Sequence, residues 1–160
     1  METGFCAFSG HREIPAAAME PLQRLLREKI ARMSAEGVSG FLCGGAMGFD
    51  TLAAEAVLAE RIRVPHLTLT LALPCREQSE HWPLWAKREY DRIREAADEV
   101  IYISETYTRF CMMQRNRFLV DHAGRLVCYL TSEKGGTAAT VRYALQQGVP
   151  VENLAMELDQ

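Results

Sequence analysis

Gly40-Phe41-Leu42-Cys43-Gly44-Gly45-Ala46-Met47-Gly48-Phe49-Asp50-Thr51-Leu52-Ala53-Ala54-Glu55-Ala56 passes from a short apolar run, through a glycine-rich turn, into an alanine-rich segment. Gly40 to Cys43 has the length and apolarity of a buried strand. The residues from about Met47 to Arg61 read as a helix, ended by Val64-Pro65. A strand, a tight turn and a helix start in that order gather free backbone N–H groups and the positive helix end at one spot, which makes an anion site. Gly44, Gly45 and Gly48, with Ala46 among them, let the chain turn sharply and a ligand come close, because no large side chain intrudes. Asp50, in the first helical turn, is placed to accept hydrogen bonds from loop amides or from a ribose hydroxyl. The same residues also suit an ordinary strand-to-helix turn, so this stretch alone leaves phosphate binding open.

Moving outward, strand and helix signals alternate along the chain. Phe5 to Phe8 is a short apolar strand ending in the turn Ser9-Gly10, followed by the polar loop His11 to Pro15. Met19, Leu22, Leu25, Leu26, Ile30 and Met33 recur at helical spacing until Gly37, and Pro21 suits the first position of that helix. His66 to Leu73 is a third strand, capped by Pro74 to Gln78. A helix from near Trp82-Pro83 is expected to turn Trp85, Tyr90, Ile93 and Ala97 inward. Val100 to Ile103 is a fourth strand, Ser104 to Cys111 a polar and aromatic loop or lid, and Met112 to His122 a fourth helix. Leu126 to Leu130 is a fifth strand, and Thr131 to Thr137 a second glycine-bearing turn. A helix follows with Val141, Ala144 and Leu145 facing in and Gly148 as its cap. Val149 to Leu154 adds a last strand, and Ala155 to Gln160 carries no signal.

Strands apolar on both faces, alternating with helices, predict a single Rossmann-like α/β domain, a mainly parallel sheet with helices on both faces. In such sheets ligands bind beyond the carboxyl ends of the strands, so the loops that follow the strands converge. Candidate contacts there are Ser9 and Gly10 (hydroxyl and amide to phosphate), and His11 and Arg12 (phosphate or base). Pro74 and Arg76 come from the third-strand loop, where the guanidinium could clamp phosphate in bidentate fashion. Arg115 and Asn116 lie at the start of the fourth helix. Gly135, Gly136 and Thr137 form the second phosphate cradle, with Thr137 also suited to an N-cap. Each also has a plain structural reading as turn, surface or cap.

Bulk properties narrow the function classes. The 160 residues are 48% hydrophobic and 24% charged, which suits one soluble domain with a full core. A net charge of -3 argues against nucleic acid as the main partner. No apolar run approaches membrane-spanning length and the N-terminus lacks a signal-like pattern, so a cytoplasmic protein without a membrane partner is expected. Five dispersed cysteines without a C-x-x-C pair predict reduced thiols, with Cys6, Cys43 and Cys128 filling core. The four histidines are equally scattered, so no metal site is expected.

Ser9-Gly10-His11-Arg12, Gly44-Gly45-Ala46-Met47-Gly48-Phe49-Asp50-x-x-Ala53, Arg115-Asn116-Arg117 and Gly135-Gly136-Thr137 together resemble the SLOG superfamily. That superfamily unites the DNA-processing Smf proteins with the LOG-like, so-called lysine-decarboxylase-like phosphoribohydrolases; the YpsA-like branch is the nearest match. The resemblance covers nearly the whole chain. It implies a Rossmann-like sheet whose glycine loops hold a nucleotide or nucleotide-derived ligand, and a homodimer, since relatives often pair.

Two departures limit what carries over. G-x-G-x-x-G after the first strand is absent, which disfavours hydride transfer with a nicotinamide cofactor. The LOG-like P-G-G-x-G-T-x-x-E is here Lys134-Gly135-Gly136-Thr137-Ala138-Ala139-Thr140, with Thr140 standing where the catalytic glutamate would be. A threonine offers no carboxylate for acid/base work. Binding of a nucleotide-type ligand is therefore the expected function, with no established cofactor. N-glycosidic hydrolysis is the alternative, a carboxylate coming from Glu13, Glu77 or Asp50. Single-stranded DNA binding in the Smf manner is the third.

Overall fold

The computed structural model describes residues 3–159. Its elements are β1 (Phe5–Gly10), α1 (Ala16–Ala35), β2 (Gly40–Cys43), α2 (Phe49–Arg63), β3 (Thr68–Leu73), α3 (Leu84–Ala96), β4 (Glu99–Tyr102), α4 (Cys111–Asp121), β5 (Arg125–Tyr129), α5 (Gly136–Gln146), β6 (Val151–Asn153) and α6 (Leu154–Leu158). The six strands form one sheet in the order β4-β3-β2-β1-β5-β6. Every pairing is parallel, with Ala7 opposite Leu42 on one side and opposite Leu126 on the other.

Alternation along the strands explains the two covered faces. Cys6, Phe8, Phe41, Cys43, Leu69, Leu71, Leu73 and Val127 point to one face, where they meet Leu22 and Ile30 of α1, Phe49 and Val57 of α2, Tyr90 of α3 and Leu154 of α6. Ala7, Leu42, Ala72 and Leu126 point to the other, against Leu119 of α4 and Ala144 of α5. Phe8 lies at the middle of the first face, its ring 6.0 Å from Phe41 and 6.3 Å from Phe49. Lys29 of α1 is nearly buried and pairs with both Glu152 and Glu157, which ties β6 and α6 onto the first layer. The five cysteines are free and buried. Burial pushes the Cys6 and Cys128 thiols up to about 12, as expected of core-filling groups.

Several local expectations are corrected. Trp85 is 65% exposed, because α3 buries Ala86, Tyr90 and Ile93, and the neighbouring position lies about 100° around the helix. Trp82, just ahead of α3, is the tryptophan that packs, edge-on against Tyr90 at 5.2 Å. Leu145 is exposed for the same reason, beside the inward Ala144. Pro21 lies inside α1, since Pro15 and the alanines after it already start the helix. The final segment forms α6, capped by the Asn153 side chain accepting from the Ala155 amide at 3.1 Å, where no element was expected. Among the described residues no helix is long and apolar enough to cross a membrane.

Phe41 of β2 is fully buried between the sheet and the helix layer, so Phe41→Ala should lower the unfolding free energy by about 3–5 kcal/mol. Urea titration of both proteins measures this, and a midpoint equal to wild type would contradict the assigned core.

Candidate functional site

The chain builds the sheet outward from β1 to β4, then returns through α4 to start again at β5. The reversal leaves a crevice between the carboxyl ends of β1 and β5, the place where ligands settle in open parallel sheets. A cleft of about 310 Å³ opens there, lined by Ser9, Gly10, His11, Arg12, Ala46, Asp50, Arg115, Asn116, Gly136 and Thr137, with Phe8, Met112 and Leu119 as its apolar part. The two glycine turns thus meet at one hollow, through Ala46 and Gly136.

Each turn is shaped by a close approach. Gly48 has φ 78, and a Cβ there would collide with the Arg12 carbonyl, so only glycine lets the β2–α2 turn pass under the β1 loop. The Phe49 amide then donates to the His11 carbonyl at 3.1 Å, which joins the start of α2 to that loop. At Gly44 the Arg115 guanidinium fills the space of the missing side chain: a Cβ would stand 2.5 Å from its Nη1. Arg115 comes from α4, is 5% exposed, and donates to the Gly44 carbonyl and, at 2.8 Å, to Asn116 Oδ1. Burial lowers its pKa while the nearby Asp50 carboxylate raises it.

His11 is held rather than free. Its Nε2 accepts from the Thr131 amide at 2.9 Å, which places the proton of the neutral ring on Nδ1, and the ring stands edge-on to Tyr129. It therefore bridges the loops after β1 and β5 across the crevice. On the β5 side, α5 begins at Gly136 after Gly135 with φ 99. Its first amides have no intrahelical acceptor and no side-chain cap, so their donors are available at the cleft. The Thr140 hydroxyl donates to the Gly136 carbonyl at 2.8 Å and is turned into the helix.

Asp50 is the acidic side chain of the lining. It is 5% exposed; Oδ2 accepts from the Ala46 amide at 3.1 Å, closing the turn, while Oδ1 is buried with no partner. Burial raises its pKa from 3.8 to about 6, against the opposing pull of Arg115, the Ala46 amide and Arg12.

Other candidates fall outside the cleft. Gly44 is covered by Arg115, and a Cβ on Gly45 would meet Leu73, away from the hollow. Gly48 faces a groove beside α1 and α2, and Pro74 lines a separate hollow with Glu77 and Gln78. Arg76 does not line the cleft; it is paired with Glu105 at 2.7 Å and lies 4.2 Å over the Tyr102 ring, tying two loops. Glu77 accepts from the Tyr107 amide at 2.6 Å, and Glu13 lines the groove beside α1. Met112 and Leu119 were not singled out from sequence; their spacing around Arg115 and Asn116 on one helix face is the signal that would have found them.

Because the native state holds the Asp50 proton more tightly than the unfolded chain, burial costs nothing below about pH 3.8. The cost grows as pH rises through about 6 and is complete above it. Asp50→Asn should therefore flatten the pH dependence of stability, wild type losing up to about 3 kcal/mol relative to the variant between pH 4 and 7.5. Urea unfolding across that range reads it, and parallel curves would refute the assignment.

The model of the YspA SLOG family (YpsA) matches residues 7–157. The uncharacterized SPbeta prophage-derived protein YoqJ of Bacillus subtilis (strain 168) is 29% identical over 116 residues, covering 65% of this chain and 68% of that one. Among solved structures, DNA processing protein A (DprA) from Streptococcus pneumoniae superposes with a TM-score of 0.66 at 17% identity, over 93% of this chain and 49% of that one. DprA from Helicobacter pylori, a protein with a single-stranded DNA binding mode, superposes with a TM-score of 0.65 at 18% identity, over 92% of this chain and 63% of its own. The chain thus spans about half to two thirds of these proteins, and at such identities the superpositions establish the fold. With nearly its whole length matched and both glycine turns at one crevice, this chain belongs to the YspA SLOG family.

Proposed function

We propose that the crevice binds a nucleotide or a nucleotide-derived small molecule. One observation carries this reading: the start of α5, Arg12 and Asp50, whose Oδ1 is buried without a partner, line a single hollow. The α5 amides and Arg12 suit a phosphate, since backbone donors at a helix start and a guanidinium both favour an anion. The Asp50 side suits a hydroxyl or amino group, because an acceptor buried without a donor costs free energy that a ligand N–H or O–H would recover. A phosphorylated sugar carries both kinds of group within a few ångströms. Met112 offers apolar surface for the remainder.

A second reading, N-glycosidic hydrolysis, gains from Asp50 alone. Of the three carboxylates considered for it, this one borders the same hollow as Gly136, and its pKa near 6 lets it serve as acid or base close to neutral pH. The DNA binding mode of the Helicobacter pylori neighbour keeps single-stranded DNA among the ligands to be tried, although the charge balance argues against it.

The test is a thermal-shift and calorimetric panel of nucleoside 5′-monophosphates, with a thymidine 12-mer alongside. A binding monophosphate should raise the melting temperature, and Arg12→Ala should weaken it about tenfold. Failure of every monophosphate, with the oligonucleotide binding in a salt-dependent way, would replace the proposal with nucleic-acid binding. Chromatography for free base after incubation separates binding from hydrolysis: base released by wild type and not by Asp50→Asn would favour the enzyme.

A further inference from the structure

A second groove, of about 490 Å³, runs between α4 and α5 and shares Met112, Asn116 and Gly136 with the crevice. Arg109, Arg117 and Arg142 line it, and no acidic side chain does. Among the described residues none of these arginines forms an ion pair with a carboxylate. Arg117 lies 5.0 Å from the Tyr143 ring centroid, Arg109 5.3 Å from that of Phe110, and Arg142 donates to the Glu133 carbonyl at 3.3 Å. In a chain of net charge -3, three cations left together without counter-charges mark a place kept for an anion.

We propose that this groove takes a second anionic group of the same ligand, so that the natural ligand is a nucleotide bearing two separated anionic parts, such as a nucleoside 3′,5′-bisphosphate. The inference rests on the crevice being a nucleotide site. Continuity supports a single ligand: Asn116 and Gly136 border both spaces, so a molecule anchored at the start of α5 passes directly into the groove. Limited extent supports a short one. Beyond Tyr143 stands Asp121, which accepts the tyrosine hydroxyl at 2.7 Å, and past Arg12 the neighbouring hollow is lined by Glu77 and Glu80. A polyanion threaded through both spaces would meet carboxylates at each end, whereas a ligand with two anionic parts would not.

The experiment measures, by calorimetry on the full chain, the affinities of nucleoside 5′-monophosphates and of the matching nucleoside 3′,5′-bisphosphates. Arg117 and Arg142 are exposed, so Arg117→Gln/Arg142→Gln should fold normally, which its melting temperature checks. The bisphosphate is expected to bind wild type at least about tenfold tighter than its monophosphate, and the double variant should shrink that margin to about twofold. If monophosphates bind and no margin exists, or the margin survives the double variant, the groove inference fails while the crevice reading stands. If neither ligand binds, both fail. Binding of a thymidine 12-mer that is tighter than any bisphosphate and lost in the double variant would make the groove a nucleic-acid track and overturn the proposal.

Discussion

Arg115 is a guanidinium taken almost wholly out of water, and a buried cation persists only where acceptors replace its hydration. The Gly44 carbonyl and Asn116 Oδ1 do so, and the Asp50 carboxylate nearby supplies opposite charge. The consequence is positional. α4 belongs to one face of the sheet and α2 to the other, yet this contact joins α4 to the end of β2 from which α2 begins. The glycine turn is held from above by Arg115 and from within by Asp50.

That arrangement explains why the cleft has two characters. A helix start with uncapped amides faces it on the β5 side, while a buried carboxylate faces it on the β2 side. Two such features side by side would be a poor site for a simple anion and a good one for a phosphate attached to a hydroxylated or amino-bearing group. His11 connects both sides: its ring accepts from the Thr131 amide after β5, and its carbonyl accepts from the Phe49 amide at the start of α2.

Thr140 shows how the same turn can be retuned. In the position that a LOG-like sequence gives to a glutamate, the hydroxyl returns to its own helix at Gly136. The carboxylate that lines this crevice is Asp50, which comes from α2 rather than α5.

The layered fold, the two glycine turns and the placement of Asp50 in a first helical turn were legible in the chain, because each rests on a local pattern: period two, period 3.6, or residues that permit a turn. Helix faces were legible only to within one position, which is why Trp85 and Leu145 were assigned inward. The strand order, and with it the crevice between β1 and β5, was settled by packing of distant segments. So were the contact of Arg115 with Gly44 and the diversion of Arg76 to Glu105, because a long side chain takes whichever partner the fold brings near, and sequence spacing holds no record of that partner.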